Sequence, residues 1–205
     1  MVAVIAVIVI LMTAGVSLMN GTGAQSRKAS TDLLTGMIEQ ARTSAISSRA
    51  IVVLAVAEPG DLPISDDKCR VGIFKLEKGW PESFGGSLDN AVLMARWKTL
   101  ETGVVLLGGE VDGVENPLDV GKEVTINYGT AAKPLSVKAH AIAFNPRGGL
   151  QFPTGSTPIV MRVAEGTYRN GAPVAYTRGG SESKGVTESR LKIGRVTARP
   201  YSIDG

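Results

Sequence analysis

The side chains that could carry chemistry are few in this sequence. The chain has one histidine, His140, and one cysteine, Cys69. A cysteine nucleophile needs a nearby base, and His140 is the main candidate, so a hydrolase built on this pair is one hypothesis. However, His140 alternates with apolar residues over residues 137–142, which is typical of a strand histidine satisfied by local bonds. We therefore predict no catalytic residue, with the hydrolase kept as an alternative.

One stretch of sequence offers oxygen ligands for a cation. Glu58, Asp61, Asp66 and Asp67 could together hold calcium, a hard ion that prefers such ligands. Solvated carboxylates in a turn are the commoner outcome. A single cysteine also excludes a disulfide framework and every multi-cysteine zinc pattern. We therefore predict neither a bound metal nor a cofactor.

Composition limits the remaining classes of function. The 205 residues are enough for one ordinary domain with an appendage, and 43% hydrophobic residues with 20% charged residues are typical of a folded protein. The 22 Lys and Arg exceed the 19 Asp and Glu by only three, and they are scattered along the chain. The sequence therefore does not predict nucleic-acid binding.

The first nineteen residues contain no charged side chain. As a helix rising about 1.5 Å per residue they would span about 28 Å, close to the thickness of a bilayer core. A buried strand and a cleaved secretory signal are the alternatives, but strands are usually shorter and no basic region precedes the run. We expect residues 1–25 to be the transmembrane or filament-core half of an N-terminal helix, crossing the cytoplasmic (inner) membrane once with the C-terminal domain periplasmic or extracellular. The side chains expected in membrane or filament contacts are Val2, Val4, Ile5, Val7, Ile8, Val9, Ile10, Leu11, Met12, Val16 and Leu18.

A second helical segment follows a predicted weak point. Gly21 and Gly23 each disfavour helix by about 1 kcal/mol relative to alanine, so we expect a flexible or partly unwound point at residues 20–23. Apolar residues then recur at steps of three, four and seven, which predicts an amphipathic helix over residues 30–49. Its apolar stripe is expected to pack on the domain core through Leu34, Met37, Ile38, Ala41 and Ala45.

The region 50–205 is rich in short apolar runs separated by glycine and proline, which indicates strands and turns. We predict an α+β fold, in which a long N-terminal hydrophobic helix packs on an antiparallel β-sheet domain. The globular domain is expected to span residues 26–205 and to contain the amphipathic helix 30–49 and the strand-rich region 50–205. Turns or loops are expected at residues 58–61, 110–121 and 179–184. Strands are expected at residues 51–57, 70–76, 92–100, 104–107, 124–128, 139–144, 159–163 and 190–198.

Three stretches resemble a known family. Residues 33–56 lead from the amphipathic segment into a valine-rich strand, residues 143–149 read AFNPRGG, and residues 191–196 read LKIGRV. In this order they resemble type IV pilin-like proteins, and in particular the H-type minor pseudopilins of type II secretion systems. The length and layout are also similar to the cassette protein D group of pilin-like proteins.

One departure from the family concerns the N-terminus. Pilin-like proteins carry a short basic leader ending in glycine, then a phenylalanine and, four residues later, a glutamate before the apolar run. This sequence starts after that point. We expect the coding frame to continue upstream of Met1 into such a leader, which would supply the site of prepilin processing and N-terminal methylation.

The resemblance implies a structural minor subunit of a secretion pseudopilus or type IV pilus-like filament, assembled through its N-terminal helix and without enzymatic activity. Its partners would be other pilin-like subunits, an inner-membrane assembly platform and membrane lipid, and no nucleic acid. The sequence leaves a second hypothesis open, namely a membrane-tethered periplasmic or surface β-domain that binds a ligand.

Overall fold

The computed structural model describes residues 2–62, 67–81, 86–119, 123–130, 132–177 and 185–204, with side chains described from residue 23 to residue 203. One helix, α1, spans Val2–Ser48. Twelve strands follow it in these residues: β1 (Val52–Ala57), β2 (Arg70–Leu76), β3 (Ser87–Leu93), β4 (Lys98–Thr99), β5 (Val104–Leu107), β6 (Glu123–Thr130), β7 (Lys133–Phe144), β8 (Leu150–Phe152), β9 (Ile159–Arg169), β10 (Ala172–Ala175), β11 (Glu188–Ile193) and β12 (Pro200–Asp204).

Five strands form a sheet that closes on itself, here called the closed sheet. The order of pairing is β1, β2, β3, β6 and β7, and β7 then pairs with β1. The β3–β6 pair is parallel and the others are antiparallel. The short strands β4 and β8 extend it at β2 and β7. Side chains that point inward fill the enclosed space and form the inner core, which includes Phe74, Ile126 and Ala141.

The remaining five strands form a second, open sheet. Strand β9 is its centre, because it pairs with β5, β10 and β11, and β12 lies beyond β11. Residues of this sheet, among them Met161 and Leu191, pack with α1 and with the outer face of the closed sheet to form the outer core.

Strand β1 belongs to both cores. Its six residues are all buried, and alternate side chains point to opposite faces of a strand. Val53, Ala55 and Ala57 therefore lie in the inner core, whereas Val52, Leu54 and Val56 face the outer core. This explains why the sequence VVLAVA is apolar throughout and does not alternate with polar residues.

The expectation of an α+β fold, with a long hydrophobic helix packed on an antiparallel sheet domain, is wrong. The protein is mostly β, with twelve described strands and one described helix. The strands form two sheets, one of which closes through a parallel pair. Helix α1 does not pack on a single sheet, because it contacts strands of both the closed sheet and the open sheet. Strands β3 and β6 are far apart in the sequence. The spacing of apolar residues within each strand does not indicate that the two strands pair.

The predicted weak point at residues 20–23 is also wrong, since α1 runs through it as continuous helix. Two glycines cost about 1 kcal/mol each, and a helix held by tertiary packing tolerates that cost. At its other end α1 stops in a left-handed cap. Arg49 has a φ of 50°, and the Ala50 N–H donates to the carbonyl of Ala45 at 3.3 Å.

The strands predicted at residues 70–76 and 104–107 are confirmed by β2 and β5. The strand predicted at residues 92–100 is wrong: β3 ends at Leu93, and only Lys98–Thr99 resumes as β4. The strand predicted at residues 190–198 is too long, because β11 ends at Ile193 and a turn follows. The loop predicted at residues 179–184 lies outside the described residues.

The expected single-pass location in the cytoplasmic membrane is contradicted. Among the residues whose side chains the structure describes, from residue 23 onward, no helix combines the length and the apolar character needed to span a membrane. The described stretch of α1 carries charged side chains, among them Arg27, Asp32 and Arg42, and its apolar stripe is buried against the protein's own sheets.

Candidate functional site

The second half of α1 is fixed to the β domain by an apolar stripe. All five residues expected in this stripe lie in the outer core with no more than 4% of their surface exposed: Leu34, Met37, Ile38, Ala41 and Ala45. Leu33 is partly buried beside them, whereas Ile46, the residue that follows Ala45, is 41% exposed. The stripe therefore ends close to the C-terminus of the helix.

A polar contact fixes α1 at the point where its described side chains begin. Arg27 Nη1 donates to Glu165 Oε1 of β9 at 3.1 Å and to the carbonyl of Thr187 at 3.2 Å. Both charged side chains are 18% exposed, so this ion pair is shielded from solvent better than a surface pair. Gly23 leaves the space that Glu165 occupies, because a Cβ atom there would lie 2.7 Å from Glu165 Oε2.

Two further hydrogen bonds hold the helix along its length. Ser30 is fully buried, and its hydroxyl accepts a hydrogen bond from the Glu101 N–H at 3.1 Å. Near the end of the helix, Arg42 Nε donates to the carbonyl of Thr197 at 2.5 Å. Together with the Arg27–Glu165 pair, these bonds fix the direction of α1 relative to both sheets. Sequence reasoning missed Glu165 and Ser30, although the glycine at position 23 is a signal of close backbone approach.

The residues expected in filament contacts belong to the first half of α1. The backbone is helical there, from Val2 onward. The side chains of Val2, Val4, Ile5, Val7, Ile8, Val9, Ile10, Leu11, Met12, Val16 and Leu18 lie outside the described residues. The structure shows that these residues belong to the same continuous helix, whose second half is fixed to the β domain.

His140 lies in β7 between two other strands. Its Cα is paired with Val56 of β1 on one side and with Glu123 of β6 on the other. The residue is 4% exposed, and the carbonyl of Pro117 accepts a hydrogen bond from its ring. Its Nδ1 atom has no hydrogen-bond partner in the described part of the chain, so the bond to Pro117 satisfies one of the two ring nitrogens. Burial lowers the pKa of His140 below its ordinary value, which favours the neutral ring.

Cys69 is not placed as an activated nucleophile. The residue is 1% exposed, and its thiol donates a hydrogen bond to the carbonyl of Ala57 at 3.2 Å. Burial raises the pKa of the thiol to about 12. Since the thiolate is the reactive species, this environment disfavours the chemistry of the hydrolase hypothesis.

Carboxylates gather near His140 at the end of β1. The predicted turn at residues 58–61 is present: the Asp61 N–H donates to the carbonyl of Glu58 at 3.2 Å, and the Glu58 N–H donates to Asp61 Oδ2 at 2.9 Å. Burial and the nearby charges of Asp61 and Glu123 raise the pKa of Glu58 to about 7. Sequence reasoning missed Glu123, because only the pairing of β6 with β7 brings it to this place.

The calcium hypothesis gains no support from this cluster. Asp66 lies outside the described residues, and Asp67 is exposed. Among the residues that the structure does describe, no group of three histidine, cysteine, aspartate or glutamate side chains could hold a metal ion. The raised pKa of Glu58 instead makes the cluster sensitive to protons near neutral pH.

Comparison with protein-family models, with curated proteins and with solved structures finds no match to this chain. The inference of function therefore depends on the sequence and on the geometry described above.

Proposed function

We propose that this protein is a structural, pilin-like subunit of a pseudopilus- or pilus-like filament and that it assembles through α1. Assembly makes and breaks no covalent bond. The first half of the helix packs among equivalent helices of neighbouring subunits, and the β domain is carried on the outside of the assembly.

One observation carries this proposal, namely the extension of α1 ahead of its attachment. The helix is fixed to the domain from Gly23 to Arg42, and it continues for 21 residues before Gly23. At about 1.5 Å per residue that extension is about 32 Å long. Its sequence is uncharged from Met1 to Gly23, and an uncharged apolar helix is expected to bury its side chains against a partner.

The proposed partners are other subunits with the same kind of helix, added by an assembly platform. Small residues let helices approach closely, and Ala3, Ala6, Ala14 and Gly15 provide them in the first half of α1. The fixed direction of α1 supports this function, because a helix held rigidly relative to its domain gives each subunit of a filament the same orientation.

The test places one arginine in the extension of the helix. Val9→Arg should remove the chain from high-molecular-weight assemblies in its native cells, because a buried unpaired charge among packed helices costs several kcal/mol. Val196→Arg is the matched control, since Val196 is 85% exposed on the β domain. Assembly is measured by fractionation and normalised to the amount of folded protein. Retention of the Val9→Arg chain at the wild-type level would contradict the proposal.

A further inference from the structure

The one histidine of the chain helps to hold the segment that follows β5. Residues 108–119 of this segment are here called the strap. The Val160 N–H of β9 donates to the carbonyl of Glu115 in the strap at 2.9 Å, and Leu118 is buried in the outer core. The carbonyl of Pro117 accepts a hydrogen bond from the ring of His140. His140 therefore anchors the strap to β7.

The strap keeps its own shape through short-range bonds. Asn116 is fully buried, and its side-chain amide donates to the carbonyls of Leu107 and Gly109 at 2.7 and 3.2 Å. Its Oδ1 atom accepts a hydrogen bond from the Leu118 N–H at 3.0 Å. In contrast, the two strands that flank His140 are paired with β7 along continuous ladders. Loops open more readily than the central strands of a sheet, so the strap is the neighbour of His140 that can give way.

The surroundings of His140 suit the neutral ring. One ring nitrogen donates to the Pro117 carbonyl, and Nδ1 has no hydrogen-bond partner among the described residues. A second proton would bind at Nδ1 and would create a charged donor, without a described acceptor, in a residue that is 4% exposed. Burying a charge without a hydrogen-bond partner is costly. The ring can therefore be protonated at little cost only where water reaches it.

The charged groups around the ring act in both directions. Glu123 of β6 and Asp61 of the turn after β1 favour the protonated ring, whereas Lys138 of β7 disfavours it. Burial has the largest effect, and it holds the pKa of His140 below the ordinary value. The two carboxylates therefore do not compensate for the loss of water.

The other titrating groups of the cluster reduce this compensation as the pH falls. Burial, together with the charges of Asp61 and Glu123, raises the pKa of Glu58 to about 7. Glu58 is thus largely protonated in mild acid. Cys69, near Glu58 and Asp61, stays a neutral thiol because burial raises its pKa to about 12. Acid therefore removes a negative charge from the cluster in the range in which the ring would become positive.

We propose that His140 is an acid-sensitive anchor of the strap. When Nδ1 takes up a proton from solvent, the end of the strap around Pro117 separates from β7, water reaches the ring, and Leu118 leaves the outer core. This change involves the β domain alone, so it goes beyond the proposed filament assembly and does not depend on it.

The direction of the pH effect follows from the two states of the strap. In the open state the hydrated ring has its ordinary pKa of about 6.5, whereas in the closed state burial lowers the pKa of His140. Below pH 6.5 the open state therefore holds a proton that the closed state lacks. The population of the open state should rise by up to about tenfold for each pH unit, until the closed state is protonated as well.

Amide hydrogen exchange of the full chain measures the opening. The N–H groups of Val114, Leu118 and Val160 donate hydrogen bonds within the strap or to it. After correction for the intrinsic pH dependence of exchange, their protection should fall by about threefold to fivefold between pH 6.5 and 5.5. The amides of β1 and β7 should keep their protection. An equal loss in β1 and β7, or no loss in the strap, would overturn the proposal.

Two variants assign the response to one titrating group. His140→Gln keeps an N–H donor for the Pro117 carbonyl but does not titrate, so strap protection should be the same at pH 6.5 and 5.5. Glu58→Gln is the matched control, because it removes the group of the cluster with a pKa of about 7 and leaves His140 in place. The response should persist in this control. A response that persists in His140→Gln, or one that disappears in Glu58→Gln, would contradict the role given to His140.

The single histidine allows a second measurement that needs no variant. By NMR, the imidazole resonance of the unaltered chain should titrate below pH 6.5 and over the same range as the loss of strap protection. This measurement decides the matter even if His140→Gln does not fold. A ring that titrates at its ordinary pKa of about 6.5, or a strap whose exchange does not follow the ring, would overturn the proposal.

Discussion

Gly23 of helix α1 and Glu165 of strand β9 approach so closely that a Cβ atom at position 23 would lie 2.7 Å from the Glu165 carboxylate oxygen Oε2. The other oxygen of the same carboxylate accepts a hydrogen bond from Arg27, one helical turn further along. Glu165 is thus held between a glycine that gives it space and an arginine that gives it a counter-charge. This contact joins the helix to the open sheet.

We predict that two glycine-to-alanine substitutions in α1 will differ in effect. Gly36→Ala should raise the free energy of unfolding by about 1 kcal/mol, because alanine favours helix and nothing lies within 4 Å of the new Cβ atom. Gly23→Ala should give a smaller gain or a loss, since the Glu165 carboxylate has to move and its ion pair with Arg27 is disturbed. Urea denaturation followed by circular dichroism measures both. Equal stabilisation by the two variants would contradict the role given to Gly23.

A second pair of variants tests the packing of the helix. Ile38 is fully buried and Ile46 is 41% exposed, on the same stripe of α1. Ile38→Ala should lower the free energy of unfolding by about 2–5 kcal/mol, because it leaves a cavity in the outer core. Ile46→Ala should cost less than about 1 kcal/mol, since much of this side chain is already in solvent. Similar losses in the two variants would show that the helix is not packed as described.

The burial of Cys69 predicts its reactivity. In the folded protein the thiol should react with a water-soluble disulfide reagent far more slowly than a free cysteine, because it is buried and its pKa is raised to about 12. In denaturant it should react at the ordinary rate. The reaction is followed by the absorbance of the released thiol at several pH values. Rapid reaction of the folded protein at neutral pH would mean that the thiol is accessible and activated.

The raised pKa of Glu58 predicts how stability depends on pH. Below pH 4.5 the Glu58 carboxyl is protonated in both the folded and the unfolded protein. Between pH 4.5 and about 7 the unfolded chain loses this proton, whereas the folded chain keeps it. Glu58 therefore lowers the free energy of unfolding as the pH rises through this range. Glu58→Gln should therefore stabilise the protein above pH 7, by about 1 kcal/mol after allowance for the half-exposed position of the group.

Because neighbouring groups also titrate, the quantity to measure is the difference in the free energy of unfolding between Glu58→Gln and wild type at each pH. Burial raises the pKa of Asp61 and lowers that of His140. The Asp61 contribution has the same sign as that of Glu58, whereas the His140 contribution has the opposite sign below pH 6.5. The difference in free energy between Glu58→Gln and wild type should be near its minimum at pH 4 and reach a plateau above pH 7. A difference that does not change with pH would contradict the assignment.

The sequence predicted local elements well where a side-chain pattern was sufficient. The stripe from Leu34 to Ala45 follows helical periodicity, and β2 and β5 are apolar runs bounded by turns, so both kinds of element were visible in residue types alone. The strand predicted at residues 92–100 failed because the pattern continues through a break in pairing: the Met94 N–H still bonds to the carbonyl of Ile73, but the chain then leaves β2 until Lys98.

The sheet arrangement and the charged contacts could not be read in this way. The parallel pairing of β3 with β6 and the return of β7 to β1 join residues far apart in the chain. The same is true of Arg27 with Glu165, which are 138 residues apart. Single charged residues at such separations carry no periodic signal, so their partners appear only once the fold is known.

The position of β1 in two cores has a consequence for synthesis. Its second edge is covered only by β7, which ends about ninety residues after β1 does, and its outer face is completed by β9 and β11, which come later still. At about 5–20 residues per second, the ribosome needs several seconds to make β7 after β1 has been made. During this interval the nascent chain presents VVLAVA as an uncovered apolar strand, and this is the segment that a ribosome-associated chaperone has to shield.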